Sequence, residues 1–349
     1  MNVAWLTARN FGQDLCGTTQ IELSLGLVES GIDLTMYAPG TFPDDRVMHV
    51  PLSRSRIKGR QSASLVKNLI PYLEEINQSD VVLLDWKLSK LIPKIRTKLI
   101  LIDRGPPADR GMLSFLQWSV WKRGWKMVSR GCVVSESHRQ FVETSIPSKQ
   151  RKITVLPAGV NTQRFHKSVR KGPIRLVYQG QIDFHRGIEA MLEMFQSLDQ
   201  TEHGFELYLH GKGDMVETIR NMKLNHISIT EHLSQDELAQ RLAGYDIGLL
   251  PMPPSKVWKL ASPLKRSEYL GAGLLILGIR HEGHELEGET ADNFNYLFPE
   301  DQFLLSAKGW LESLQRKEME SHQNDARLYA VKHLDWSHSV ERLLEIISS

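Results

Sequence analysis

The chain is predicted to be an α/β protein made of two doubly wound domains in tandem. Three observations carry that expectation. Residues 3–6 open an alternation of strand, loop, helix and strand with short connections, the beginning of a doubly wound sheet. A polar, basic stretch at 166–172 interrupts the alternation, and Pro173 restarts it. In the second half a short helix pattern from Ser262 ends at Gly271 and Gly273, and the apolar run Leu274, Leu275, Ile276 and Leu277 follows at once as a buried strand.

Composition limits the alternatives. The 349 residues suit two domains with ordinary cores. No apolar run approaches the about 18 residues that a membrane span needs. Polar Thr7, Arg9 and Asn10 directly after the first apolar run argue against a signal peptide. Cys16 and Cys132, the two cysteines, imply no disulfide framework and fit a reducing cytoplasm, the expected location. Charge is divided unevenly: residues 1–165 carry 23 Lys and Arg against 14 Asp and Glu, and residues 166–349 carry 20 against 27. The basic first half suits an anionic acceptor or an anionic membrane surface, equally a solvated face. Nucleic-acid binding is not expected, because the basic residues form no reading motif.

In the first half, the loop from Asn10 to Thr19 joins strand 3–6 to a helix marked by Ile21, Leu23, Leu25, Leu27 and Val28. Strand 32–38 follows. The loop contains Gly12, Gly17 and Thr18 but no G-x-G-x-x-G fingerprint, so a dinucleotide site is not expected. Strands recur at 81–84 and 99–102 and end in Asp85 and Asp103. Four basic residues lie between positions 54 and 60 with no acid among them. Phe115, Trp118, Trp121, Trp125 and Val128 recur three and four apart, one helical stripe, with Lys122, Arg123, Lys126 and Arg130 beside it. Such a helix either lies in a membrane interface or packs its stripe on the sheet. Residues 131–135 read as a strand ending in a serine, 136–144 as a helix, and 152–156 as a strand.

In the second half, strands are expected at 174–178, 205–210, 227–230 and 246–250, with helices at 186–198 and 234–243. Ser234 and Glu237 form a capping box. Ser262 reads as an N-cap and Pro263 as the first residue of the short helix. The free amides and positive dipole end of such a helix favour a bound anion, and Lys265 adds charge there. His281, Glu282 and His284 have metal-like spacing but no telling third histidine, so a solvated acidic loop is the preferred reading. Helices fill the remainder from residue 304.

The string SPLKRSEYLGAG, beginning at Ser262, resembles a segment of the family-4 retaining glycosyltransferases of the GT-B fold, and the resemblance spreads over nearly the whole chain. The pattern VVSES…ITVLPAGVNTQRF resembles the end of the first domain in that family. The stretch from Gln179 to Ile188 resembles its G-R…K-G motif. The resemblance implies two facing Rossmann-like domains with a cleft between them: an acceptor domain at 1–165, a donor domain at 166–330, and a C-terminal helix at 331–349 returning to the first domain. It implies transfer of a sugar, with retention, from a nucleoside-diphosphate sugar to a hydroxyl of a glycan, lipid-linked or small-molecule acceptor, without a metal cofactor. By the same resemblance Arg186, Lys265 and Glu268 are the catalytic candidates. Gly180, Gln181, Arg186, Gly211, Ser262, Pro263, Leu264, Lys265 and Glu268 would bind the donor, Glu268 through its ribose. Gly12, Gly17, Thr18, Asp103 and Arg104 would lie on the acceptor side. Independently of the resemblance, one of the two readings of the tryptophan stripe has Trp118, Trp121 and Trp125 with nearby Lys and Arg meeting an anionic membrane surface. The chain departs from the family pattern in several places: Gln181 replaces an arginine, Arg186 replaces the lysine while keeping a cation, Leu260 stands where a first glutamate is common, Leu274 and Leu275 replace a common Lys-Pro, and no histidine stands near Asp103 in sequence. A non-catalytic sugar-nucleotide or glycan-binding protein, and a GT-B epimerase or phosphorylase, stay open beside the transferase.

Overall fold

The computed structural model describes the chain except residues 13–16, 58, 108–111, 169, 199–203 and 232. The chain divides into two compact units: Met1–Pro157 with Trp336–Ser349, and Ala158–Asp335.

The first unit contains one parallel sheet of seven strands: β1 (Asn2–Leu6), β2 (Asp33–Ala38), β3 (Met48–Pro51), β4 (Val81–Asp85), β5 (Lys98–Ile102), β6 (Arg130–Val133) and β7 (Lys152–Val155). Their spatial order is β3-β2-β1-β4-β5-β6-β7. Strand order therefore reverses between β1 and β4, which makes the carboxyl ends of those strands the place where a crevice opens. Helices on both faces explain the near-continuous apolar runs: Val3 to Leu6 and Val81 to Leu84 are all 2% exposed or less. Helix Trp336–Ser348 packs on helix Thr18–Glu29. Gly26 allows the approach, since a Cβ there would overlap Val340.

The second unit repeats the plan with β8 (Ile174–Gln179), β9 (Phe205–His210), β10 (Ile227–Thr230), β11 (Ile247–Leu250), β12 (Leu275–Ile279) and β13 (Asn295–Phe298). The order is β10-β9-β8-β11-β12-β13, all parallel, with the reversal between β8 and β11. Residues 158–165 pack with this unit, because Val160 and Phe165 are buried in its core. At the other end of the unit Val160 N donates to Leu334 O at 2.8 Å, and Thr162 Oγ1 donates to the Asp335 carboxylate at 2.5 Å. The first and last segments of the unit are thereby joined.

Several elements differ from expectation. Strands β3 and β13 are short edge strands without an apolar run long enough to announce them. The capping box of Ser234 and Glu237 forms as expected. The tryptophan stripe on helix Met112–Met127 does not lie open: Trp121 and Trp125 are fully buried, whereas Phe115 is 77% exposed. Both indoles donate from Nε1 to Asp103 Oδ2, at 2.5 and 2.8 Å. This corrects the lipid-facing expectation for those two residues, whose rings and donors are satisfied inside the first unit. Among the described residues no helix is long and apolar enough to cross a membrane.

Candidate functional site

The second unit's reversal point is bordered by the turn after β8, the loop after β11 and the helix that follows it. Helix Leu264–Gly271 begins after Pro263, whose φ of −69° and ψ of 120° place it as the N-cap, and no side chain caps it. Ser262 is not the N-cap: its Oγ accepts from Ala158 N at 3.0 Å. Ser267 Oγ in turn donates to Ala158 O at 2.8 Å. At the opposite end, Arg327 donates to Gly271 O at 2.5 Å, and Arg170 donates to Ala272 O and Gly273 O at 2.7 and 3.1 Å. Two arginines thus complement the negative end of the helix dipole, and no acid sits in its first turn, so the positive end is left for an anion.

The turn after β8 is closely fitted to its neighbours. Gly180 has φ of +118°, and a Cβ on it would stand 3.3 Å from Lys265 Nζ. Gly211 must also be glycine, because a Cβ would overlap Gly180 O. Tyr178 meets both nearby cations. Lys265 Nζ lies 4.0 Å from its ring centroid, and Arg186 acts on its hydroxyl. Burial nevertheless raises the Tyr178 pKa, with Arg186 opposing. Tyr178 Oη donates to Gln181 O at 2.7 Å, fixing the turn.

Arg186 sits in the one-turn segment Phe184–Arg186, ahead of helix Ile188–Gln196 and not inside it. Gly187, with φ of +74°, separates the two; its bare Cα lets Pro251 O approach from the loop after β11. The Arg186 guanidinium lies 4.8 Å from the Trp258 ring centroid, and its Nε is 3.8 Å from Asp183 Oδ2. Glu268 is only 3% exposed and accepts from Gln179 Nε2, while Gln179 N donates to Tyr269 Oη at 3.0 Å. Leu260 is buried in the core.

The structure therefore gathers Gly180, Gln181, Arg186, Gly211, Lys265 and Glu268 around one strand reversal, with Ser262, Pro263 and Leu264 leading into the helix. Sequence reasoning missed Tyr178, Gln179, Trp258 and Tyr269. Tyr178 and Gln179 directly precede Gly180, and that adjacency was the available signal. Trp258 offered none, since its contact with Arg186 depends on the tertiary fold.

The loop after β12 exposes its acids Glu282, Glu285 and Glu287, as expected of a solvated acidic loop, but buries its two histidines. His281 and His284 are 4% and 0% exposed, their rings tilted by 38° with centroids 3.7 Å apart. Gly283 N donates to His281 Nδ1 at 3.2 Å, which leaves Nε2 as the donor to Met252 O, also at 3.2 Å. Burial lowers the His281 pKa to about 4. Buried Arg266 donates to Gly283 O and Glu285 O at 3.0 and 2.7 Å, and burial lowers its pKa to about 10. The loop braces the segment after β11. Among the described residues no group of three or more His, Cys, Asp or Glu is placed to hold a metal.

In the first unit, Gly12 (φ +81°) follows β1, and Gly17 precedes helix Thr18–Glu29, whose first residue is Thr18. Cys16 lies outside the described residues. Asp103 follows β5, which is separated from β1 by β4 alone. It is a core residue, 0% exposed, and besides the two indoles it faces His138 Nε2 at 3.3 Å and accepts from Gly105 N at 3.1 Å. Burial pushes its carboxyl up, but His138 and the indole donors outweigh that and lower the pKa. Arg104 donates to Leu156 O at 2.6 Å.

No protein-family model matches the chain, and no curated protein resembles it significantly in sequence. Solved structures do resemble it along its whole length. Sucrose-phosphate synthase from Thermosynechococcus elongatus superposes with a TM-score of 0.80 at 13% identity, covering 99% of this chain and 98% of that one. WaaG, a glycosyltransferase involved in lipopolysaccharide biosynthesis, gives 0.77 at 15% identity over 99% and 100%. HepE from Anabaena, solved in complex with UDP, gives 0.72 at 12% identity over 100% of both chains. At these identities the likeness establishes the fold alone: two Rossmann-like domains, the fold of GT-B glycosyltransferase structures.

Proposed function

We propose that this GT-B chain is a glycosyltransferase that moves a sugar, with retention and without a metal cofactor, from a nucleoside-diphosphate sugar to a hydroxyl acceptor. The observation that carries the reading is the uncapped start of helix Leu264–Gly271, with Lys265 reaching back over the glycine turn at Gly180. Departure of a nucleoside diphosphate builds negative charge on its phosphates, so donors and cations already aimed at that position lower the barrier most. Lys265, Arg186 and the first amides of the helix fill that role. Glu268 would take the ribose hydroxyls, with Gln179 orienting its carboxylate. The leaving phosphate itself assists removal of the acceptor proton, so the proposal asks for no separate protein base. Gly12, Gly17, Thr18 and Arg104 remain the acceptor-side candidates, the acceptor being a glycan, a lipid-linked sugar or a small molecule. Asp103 is assigned instead to the core that supports them.

Calorimetric titration of UDP, GDP and ADP into the wild type, Arg186→Ala and Glu268→Ala, each with and without EDTA, tests the reading. One nucleotide should bind selectively, both substitutions should weaken it, and EDTA should change nothing. If the folded wild type binds none of the three, the donor site is refuted. A second reading, a binding protein without transfer, is favoured by Gln181 at the family's arginine position. Nucleotide binding with neither transfer nor hydrolysis across a broad panel of donors and acceptors would select it.

A further inference from the structure

Gln181 brings no charge to the turn after β8, whose arginine is Arg186. How Arg186 is held then matters. It stands on a three-residue turn between Asp183 and Gly187, a backbone that by itself gives a long side chain little direction. Its guanidinium lies 4.8 Å from the Trp258 ring centroid, and the Asp183 carboxylate at 3.8 Å is at the margin of an ion pair. Its Nε is buried and, among the described residues, has no hydrogen-bond partner. The guanidinium is therefore held between the Trp258 face, the marginal ion pair with Asp183 and the Tyr178 hydroxyl, and the aromatic face is the one of the three that takes up none of its N–H edges.

Trp258 is itself rigidly mounted. It lies on the short helix Lys256–Lys259, where Lys259 N donates to Ser255 O at 2.9 Å and Ala261 N donates to Trp258 O at 3.1 Å. Gly283 passes so close that a Cβ on it would overlap Trp258 O. Arg266 fixes Gly283 through its carbonyl, and His281 ties the same loop to Met252. The buried histidine loop thus braces the tryptophan, and the tryptophan carries the arginine.

We propose that Trp258 is a positioning residue that holds the Arg186 guanidinium on its ring face, ready to grip the diphosphate of the donor. This rests on the donor-site reading above. A ring face orients a guanidinium while leaving its N–H edges available, whereas a close bidentate carboxylate would occupy them. The binding phosphate then meets an arginine already in place, and less side-chain freedom is lost on association.

The test is a double-mutant cycle on the full chain, read by calorimetry with UDP, GDP and ADP, each beside its monophosphate, with thermal unfolding recorded for every variant. Trp258→Leu should weaken the diphosphate bound by the wild type about fivefold to tenfold and its monophosphate much less. Trp258→Phe should stay within about twofold of the wild type, because a ring face remains. In the Arg186→Ala background Trp258→Leu should add nothing. Full additivity of the two substitutions, or equal weakening of diphosphate and monophosphate, overturns the positioning role while leaving the donor site intact. Unchanged diphosphate binding by Arg186→Ala, or no nucleotide binding by the wild type, overturns the donor reading and this inference with it.

Discussion

Asp103 offers the sharpest separation between a surface group that meets an acceptor and a core anchor. Its Oδ2 faces Trp121 Nε1, Trp125 Nε1 and His138 Nε2, and its Oδ1 accepts from Gly105 N. Asp103→Ala strands those donors in the core. Each buried donor left unmade costs about 1–3 kcal/mol, and removing one partner of a buried charged network costs about 3–5 kcal/mol after relaxation. Asp103→Asn is expected to cost about 2 kcal/mol, because either orientation of the amide points its NH2 at a donor. In a unit of this size each kcal/mol lowers the unfolding midpoint by about 3 °C. The first unit of Asp103→Ala should therefore melt roughly 10 °C below the wild type, while nucleotide binding by the folded second unit is unchanged. The pH dependence has a definite sign. Because the folded carboxyl titrates below its usual value, its stabilisation is complete above the unfolded value of about 3.9 and is lost as pH falls through the folded value. Wild-type stability should drop more steeply than that of Asp103→Asn as the solution is acidified below about pH 4. Midpoints within about 1 °C for the wild type and both variants would refute the anchor.

Two further outcomes are expected in the second unit. Gly187→Ala places a Cβ on Pro251 O at a positive φ, so it should destabilise the unit by about 2–4 kcal/mol and weaken nucleotide binding, as denaturation and calorimetry would show. His281 is buried with its pKa lowered to about 4, so the folded state takes up its proton later than the unfolded chain does. Stability from this group is complete above the unfolded value of about 6.5 and declines as pH falls from there toward the folded value. Denaturant titrations of the wild type and His281→Gln across that window should show a shallower pH slope in the variant, and equal slopes would refute the assignment.

Much of the proposed donor side could be read from the chain because the relevant signals are local. A glycine turn after an apolar strand, a basic residue a few positions on, and Pro263 ahead of a short helix each follow from backbone conformation within one or two turns. Ser262 shows where local reading stops. A serine hydroxyl can accept from the helix or from any nearby amide, and here Ala158, distant in sequence, takes it. Trp121 and Trp125 make the same point for the first unit. Their spacing announced a stripe, but a stripe does not say what it faces, and Asp103 after β5 supplied the partner.

The sequence by itself determined two wound α/β halves and the order of nearly all their strands and helices, and it supplied the residues proposed to hold phosphate. Periodicity and end signals are properties of a few neighbouring residues, so one dimension suffices for them. Only the tertiary structure decided that β8 lies beside β11, that Lys265 reaches Gly180, that Glu268 is held by Gln179, and that Arg186 rests on Trp258. Those pairings join segments far apart in the chain, and they are selected by how two faces of a sheet can be covered at once, which no short window of sequence contains.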